Sequence, residues 1–149
     1  AKNLPNAKVS ALDISKDALE IAKENTKSNN VDIEFINADI FQYKSDKKYD
    51  VIVSNPPYVT ESEKSSMKKN VLDYEPELAL FVDDSEPLKY YDFIMNFSKN
   101  HLNRNGQIFF EINEKFCKKL EMLCREYSYG SITFIKDNFN KNRILVLYK

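Results

Sequence analysis

Val51-Ile52-Val53-Ser54-Asn55-Pro56-Pro57-Tyr58-Val59 decides how the chain is read. Three β-formers follow Asp50 and read as a buried parallel strand. The run then stops at an amide, two prolines and an aromatic ring. A residue before proline is pushed out of the α region, so Asn55 and Pro56 are both held extended. Neither proline has an N–H, so this backbone offers carbonyls without competing donors. A stiff corner of acceptors therefore sits at the carboxyl end of a strand, where open α/β sheets take their ligands.

Outward from this corner, strands and helices alternate. Lys8 to Leu12 reads as a short strand ending at Asp13. Ser15 can cap a helix with Ala18, Ile21, Ala22 and Asn25 on one face, and Asn29-Asn30 stops it. Asp32 to Asn37 forms a second strand leading to Ala38-Asp39-Ile40-Phe41, and Tyr49 to Ser54 forms the third. The connection from Thr60 to Pro87 is too long for an ordinary loop, which implies function or a short helix around Glu63 to Lys69. Leu88 to Leu102 is helical, with Tyr91, Ile94, Met95 and Leu102 at the right spacing. Asn105-Gly106 turns the chain into a strand from Gln107 to Ile112. Asn113 can cap a helix with Phe116, Leu120, Leu123 and Tyr127 on one stripe. Ser131 to Lys136 and Arg143 to Tyr148 read as an antiparallel pair. The expected fold is a doubly wound α/β sheet, mostly parallel with an antiparallel last strand.

Composition narrows the class of protein. The 149 residues suit one domain, and a hydrophobic content of 42% excludes a disordered chain. Net charge is −1, which argues against a direct nucleic-acid substrate and an anionic membrane surface. No apolar run approaches the roughly 20 residues of a membrane span, so a cytoplasmic protein without a membrane role is expected. Cys117 and Cys124 lie two helical turns apart, about 10 Å along an axis, too far for a disulfide and read as core thiols. His101 is the single histidine, so no His-based metal cluster is expected; its place near a helix end suits a surface role.

Two acids gain interest from their positions. Asp13 follows the first strand, where Rossmann-like folds hold ribose hydroxyls. Asp39 follows the second strand at the same sheet edge, and Asn55 follows the third. Either acid alone also suits a helix cap or a solvated loop charge. Together with the corner, the three side chains are expected to share one nucleoside crevice.

Asn55-Pro56-Pro57-Tyr58 resembles the motif of S-adenosylmethionine-dependent methyltransferases that modify planar amino groups. Tyr74-Glu75-Pro76 followed by Ala79-Leu80-Phe81 narrows the resemblance to the peptide chain release factor glutamine methyltransferases, the HemK/PrmC type. Asp13-Ile14-Ser15 with Ala18-Leu19, Asp39 with Phe41, Glu111-Ile112, and Asp137 with Arg143 are similar to further elements of that family. The resemblance covers nearly the whole chain. It implies a Rossmann-like class I sheet, with S-adenosyl-L-methionine as cofactor and class I release factors as partners. It also implies that Asp13 binds ribose hydroxyls, that Asp39 and Ile40 line the adenine, and that Asn55, Pro56, Pro57 and Tyr58 hold the substrate amide. Glu75 is expected to be a structural acid receiving backbone N–H groups; Glu111 is left open.

The departures define further expectations. The family carries a glycine-rich loop after an earlier strand, whereas this chain has only Gly106 and Gly130, in neither case in such a loop. Residues 1–149 are therefore expected to form a partial catalytic domain lacking the first strand and that loop. Asn113, Phe116 and Asn140 stand where the family usually has Gly, Gln and Gly. The leading expectation is methylation of the glutamine amide of a Gly-Gly-Gln motif. The alternatives are an adenine-N6 DNA or RNA methyltransferase, and a non-catalytic fragment that self-associates through exposed strand edges and binds S-adenosylmethionine weakly.

Overall fold

The computed structural model describes residues 1–67 and 69–149, which divide into two units, Ala1–Ser45 and Asp46–Lys149. The first unit is a strand–helix–strand crossover: β1 (Ser10–Asp13), α1 (Lys16–Asn29) and β2 (Glu34–Asn37). The strands pair in parallel from Ser10 opposite Glu34 to Asp13 opposite Asn37. Ser15 caps α1 as expected, its hydroxyl accepting the Ala18 N–H at 3.1 Å. Asn30 ends the helix at φ 51°, where a short amide side chain tolerates the left-handed region.

The buried face of α1 differs from the expected one. Leu19 is buried, whereas Ile21 is 62% exposed. Two stripes overlap on this helix, and the sheet takes the one running through Leu19, Ala22 and Thr26. Thr26 tolerates the half-buried position because its hydroxyl donates to the Lys23 carbonyl at 2.7 Å.

The second unit begins with β3 (Tyr49–Ser54) and β4 (Val59–Thr60), followed by a 3-10 turn at Glu61–Ser66. Next come α2 (Lys69–Tyr74), α3 (Glu77–Leu80), β5 (Phe81–Val82) and α4 (Lys89–His101). The unit closes with β6 (Leu102–Glu111), a 3-10 turn at Glu114–Phe116, α5 (Cys117–Glu126), β7 (Ser131–Lys136) and β8 (Asn142–Tyr148). The main sheet has the order β3-β6-β8-β7; β3 and β6 are parallel and β8 runs against both of its neighbours. The long Thr60–Pro87 connection is ordered by a small parallel pair, Val59–Thr60 on Phe81–Val82.

Alternation along β6 buries Ile108 and Phe110, with Ile112 beyond them, against Leu145, Leu147 and the α4 stripe of Tyr91, Ile94 and Met95. Tyr91 meets Phe110 edge to face, with centroids 5.2 Å apart. β6 begins earlier than its sequence suggests. Tyr49 pairs with Leu102 and Val51 with Gln107, so Asn105-Gly106 forms a bulge inside the strand rather than a turn before it. The β3 run, expected to be a buried strand, is only half-buried on one face, at Ile52 and Ser54, and open on the other, with Val51 50% and Val53 75% exposed. β3 is the edge strand, and these two side chains point away from the Phe110 face. His101, in the last turn of α4, stacks on Phe97 at 4.0 Å. No helix among the described residues is long and apolar enough to cross a membrane.

Candidate active site

β3 releases the chain at Ser54, and the next four residues form the corner. Pro56 is buried, Pro57 and Tyr58 are half-buried, and Asn55 is exposed. The apolar Pro56 ring seats the corner, while the Asn55 amide faces outward without a hydrogen bond to any described residue. An amide without a partner among the described residues, at the end of a strand whose backbone is held extended, keeps both its acceptor and its donors available.

Tyr58 is held at both ends. Its hydroxyl donates to the Glu111 carboxylate at 2.8 Å. Its carbonyl accepts the Asn113 side-chain amide at 3.4 Å. Burial, then the hydrogen bond and negative charge of Glu111, push the phenol up to about 12, against a lowering by Arg143. Tyr91 donates its own hydroxyl to the main-chain carbonyl of Glu111 at 2.9 Å.

A second carboxylate ties the far side of the corner. Glu63 accepts the Thr60 N–H at 3.1 Å, the Thr60 hydroxyl at 3.1 Å and the Asn113 amide at 3.2 Å, and it pairs with Lys115. Burial raises its pKa, but the hydrogen bonds from Lys115 and Thr60 outweigh that and hold it below the usual carboxylate range.

In the first unit, Asp13 ends β1 and Asp39 follows β2, at the same end of their parallel sheet. Asp13 Oδ1 accepts the Ser15 N–H at 2.8 Å. Asn37 braces this edge, its amide donating to the carbonyls of Asp13 and Ile14 at 3.0 and 2.9 Å. Asp39 Oδ1 accepts the Phe41 N–H at 2.9 Å, and Ile40 is half-buried beside it. Asp13 thus holds its loop through one oxygen, while Asp39 also accepts the Gln42 side-chain amide on Oδ2 at 3.4 Å; a carboxylate oxygen has capacity for further donors, so ribose hydroxyls and an adenine amine fit these acceptors. Asp13 and Asp39 belong to one unit and Asn55 to the other.

Glu75 departs from expectation. It is exposed, and no backbone N–H of the described residues donates to it. Its neighbour Tyr74 is 86% exposed. Asp137 caps the β7–β8 hairpin through the N–H groups of Phe139 and Lys141, at 2.8 and 3.0 Å, and pairs with Arg143 at 3.3 Å. Asn140 adopts φ 64° there, which explains how it stands in for a glycine.

Sequence reasoning left Glu111 undecided and missed Asn37, Asn113 and Glu63. Two signals were available. Period-2 alternation puts Glu111 on the face opposite Phe110. Thr60 and Glu63 stand at capping-box spacing.

The chain is 45% identical over 146 residues to the release factor glutamine methyltransferase of Bacteroides thetaiotaomicron, covering 97% of this chain and 52% of that protein. The enzyme of the same name from Flavobacterium psychrophilum is 44% identical, covering 97% and 51%. The chain therefore spans about half the length of these curated relatives. A crystal structure of a methyltransferase from Pyrococcus furiosus superposes with a TM-score of 0.69 at 21% identity, covering 97% of this chain and 64% of that one, and shares its α/β fold. The family model described as the methyltransferase small domain matches residues 1–75, and the chain belongs to that family.

Proposed function

We propose that this chain is catalytic-domain sequence of an enzyme that methylates the glutamine side-chain amide in the Gly-Gly-Gln motif of class I release factors. The observation that carries the reading is the exposed, unpaired Asn55 amide beside a buried Pro56 and an anchored Tyr58. The names of the relatives at 44–45% identity support the substrate. S-adenosyl-L-methionine, when bound, supplies an electrophilic methyl group. Asp13 would hold its ribose hydroxyls, and Asp39 with Ile40 its adenine.

A glutamine nitrogen is a poor nucleophile because its lone pair is delocalised into the carbonyl. Asn55 Oδ1 and the Pro56 carbonyl can each accept one N–H of the substrate amide. Two acceptors fix the nitrogen's orientation and favour the positive charge that develops on it. The Tyr58 ring offers a flat wall for the planar amide. No base in the corner is needed, since the proton leaves to water after transfer.

The test is transfer of labelled methyl groups to a purified release factor, to its Gly-Gly-Gln glutamine→alanine variant, and to DNA. Labelling of the release factor alone, lost in the variant, is expected; labelling only of DNA overturns the proposal in favour of the adenine-N6 alternative.

A second reading rests on the edge strand β3, where Val53 is 75% exposed. On this reading the isolated chain self-associates through that edge and binds S-adenosylmethionine weakly. Sedimentation at several concentrations and a calorimetric titration test it; a monomer with micromolar binding refutes it.

A further inference from the structure

Tyr58 makes two contacts with the end of β6, and they divide its side chain from its backbone. Glu111 takes the hydroxyl at 2.8 Å and Asn113 reaches the carbonyl at 3.4 Å. The two partners lie two residues apart, where β6 gives way to the turn at Glu114–Phe116. Each is itself secured. Tyr91 holds the Glu111 main chain at 2.9 Å, and Glu63 holds the Asn113 amide at 3.2 Å. Asn113 Oδ1 also accepts the Lys115 N–H at 3.1 Å, which fixes the direction of its amide.

From this geometry we infer that Glu111 and Asn113 are positioning residues, which lock the plane and reach of the Tyr58 ring so that the corner presents Asn55 and the Pro56 carbonyl in one fixed arrangement. The inference rests on the reading of the corner as an amide-binding site. It goes beyond that reading by giving the Tyr58 hydroxyl a task. The hydroxyl is committed to Glu111, so it neither binds the substrate nor moves a proton. What Tyr58 contributes is a wall held by a charge-assisted hydrogen bond, the stronger class of such bonds.

The contact also explains a division of labour along β6. Phe110 and Ile112 point into the core, while Glu111 points the other way and is half-buried. A carboxylate there costs desolvation, which the Tyr58 donor offsets. Its main-chain carbonyl is satisfied separately by Tyr91, so truncating the Glu111 side chain leaves the packing of α4 on β6 in place.

The test combines a tyrosine NMR titration with kinetics. In protein carrying ¹³C at the tyrosine phenol carbon, with the Tyr58 signal assigned by its loss in Tyr58→Phe, the phenol titrates near about 12. In Glu111→Gln, which removes the charge and keeps an acceptor, its titration moves down but stays above the ordinary phenol value of about 10, because burial, the larger cause, remains. In methyl transfer to release factor, Glu111→Ala and Tyr58→Phe each lower kcat on the order of tenfold with KM little changed. Glu111→Gln restores most of the rate, and the Glu111→Ala/Tyr58→Phe double variant is no slower than either single one. An unchanged Tyr58 titration in Glu111→Gln overturns the inference whether or not methyl groups are transferred. Additive losses in the double variant, or losses confined to KM, overturn it as well. Transfer to DNA in place of release factor overturns the substrate reading while leaving the Tyr58 titration shift intact, so the two failures are distinguishable.

Discussion

Tyr91 on α4 donates its hydroxyl to the main-chain carbonyl of Glu111 at 2.9 Å, which couples the packed core to the rim of the corner. The ring is 1% exposed and burial pushes its phenol far up, so the hydroxyl stays a donor at any working pH. Tyr91→Phe should cost about 1 kcal/mol, the value of one net hydrogen bond. Tyr91→Ala should cost about 3–5 kcal/mol, because a large core side chain leaves a cavity. Urea unfolding of both variants checks the ordering.

Asn55 has no structural task within the described residues, so its removal should be felt in catalysis and hardly in folding. Asn55→Ala should lower kcat for the proposed release factor methylation on the order of a hundredfold. Its stability should stay within about 0.5 kcal/mol of the unsubstituted chain. Parallel kinetics and urea titrations test both halves.

Glu63 sets an acid dependence. Its folded-state pKa is depressed, so its stabilising contribution is complete above the ordinary glutamate value and is lost as pH falls through the lower folded value. Stability measured by urea unfolding from pH 6 down to pH 3 should fall less steeply in Glu63→Gln than in the unsubstituted chain. Equal slopes would assign the acid sensitivity to other carboxylates.

Gly106 sits where no side chain fits. A Cβ there would lie 2.7 Å from Leu102 Cγ and 2.8 Å from the Asn103 carbonyl oxygen. Gly106→Ala should destabilise by about 1–3 kcal/mol through overpacking of the bulge. Gly130→Ala is the control, since its Cβ would meet only the Tyr148 carbonyl oxygen at 3.8 Å. Thermal unfolding of the pair should separate them clearly.

The two cysteines should differ in reactivity. Both are free, and Cys124 is fully buried, with its thiol pushed up to about 12 by that burial. Alkylation of the folded chain followed by mass spectrometry should modify Cys117 and spare Cys124. Both should react after denaturation.

The sequence by itself determined the order of the longer strands and helices and the corner, but not the short β4–β5 pair or α3 within the Thr60–Pro87 connection. Strands, helices and caps follow from local periodicity and from bonds made within a few residues, by the side chain of Ser15 and by the backbone N–H of Asn30. The corner is legible for the same reason, since prolines restrict their neighbours without tertiary help. Only the tertiary structure decided which faces are buried and what secures Tyr58. The α1 stripe turned on which of two overlapping faces the sheet accepts, and the β3 run turned on its place at a sheet edge. Glu111 reaches Tyr58 across 53 positions of chain, and Lys115 reaches Glu63 across 52. Such pairings depend on register between strands and on turns far apart in the sequence, which no local pattern encodes.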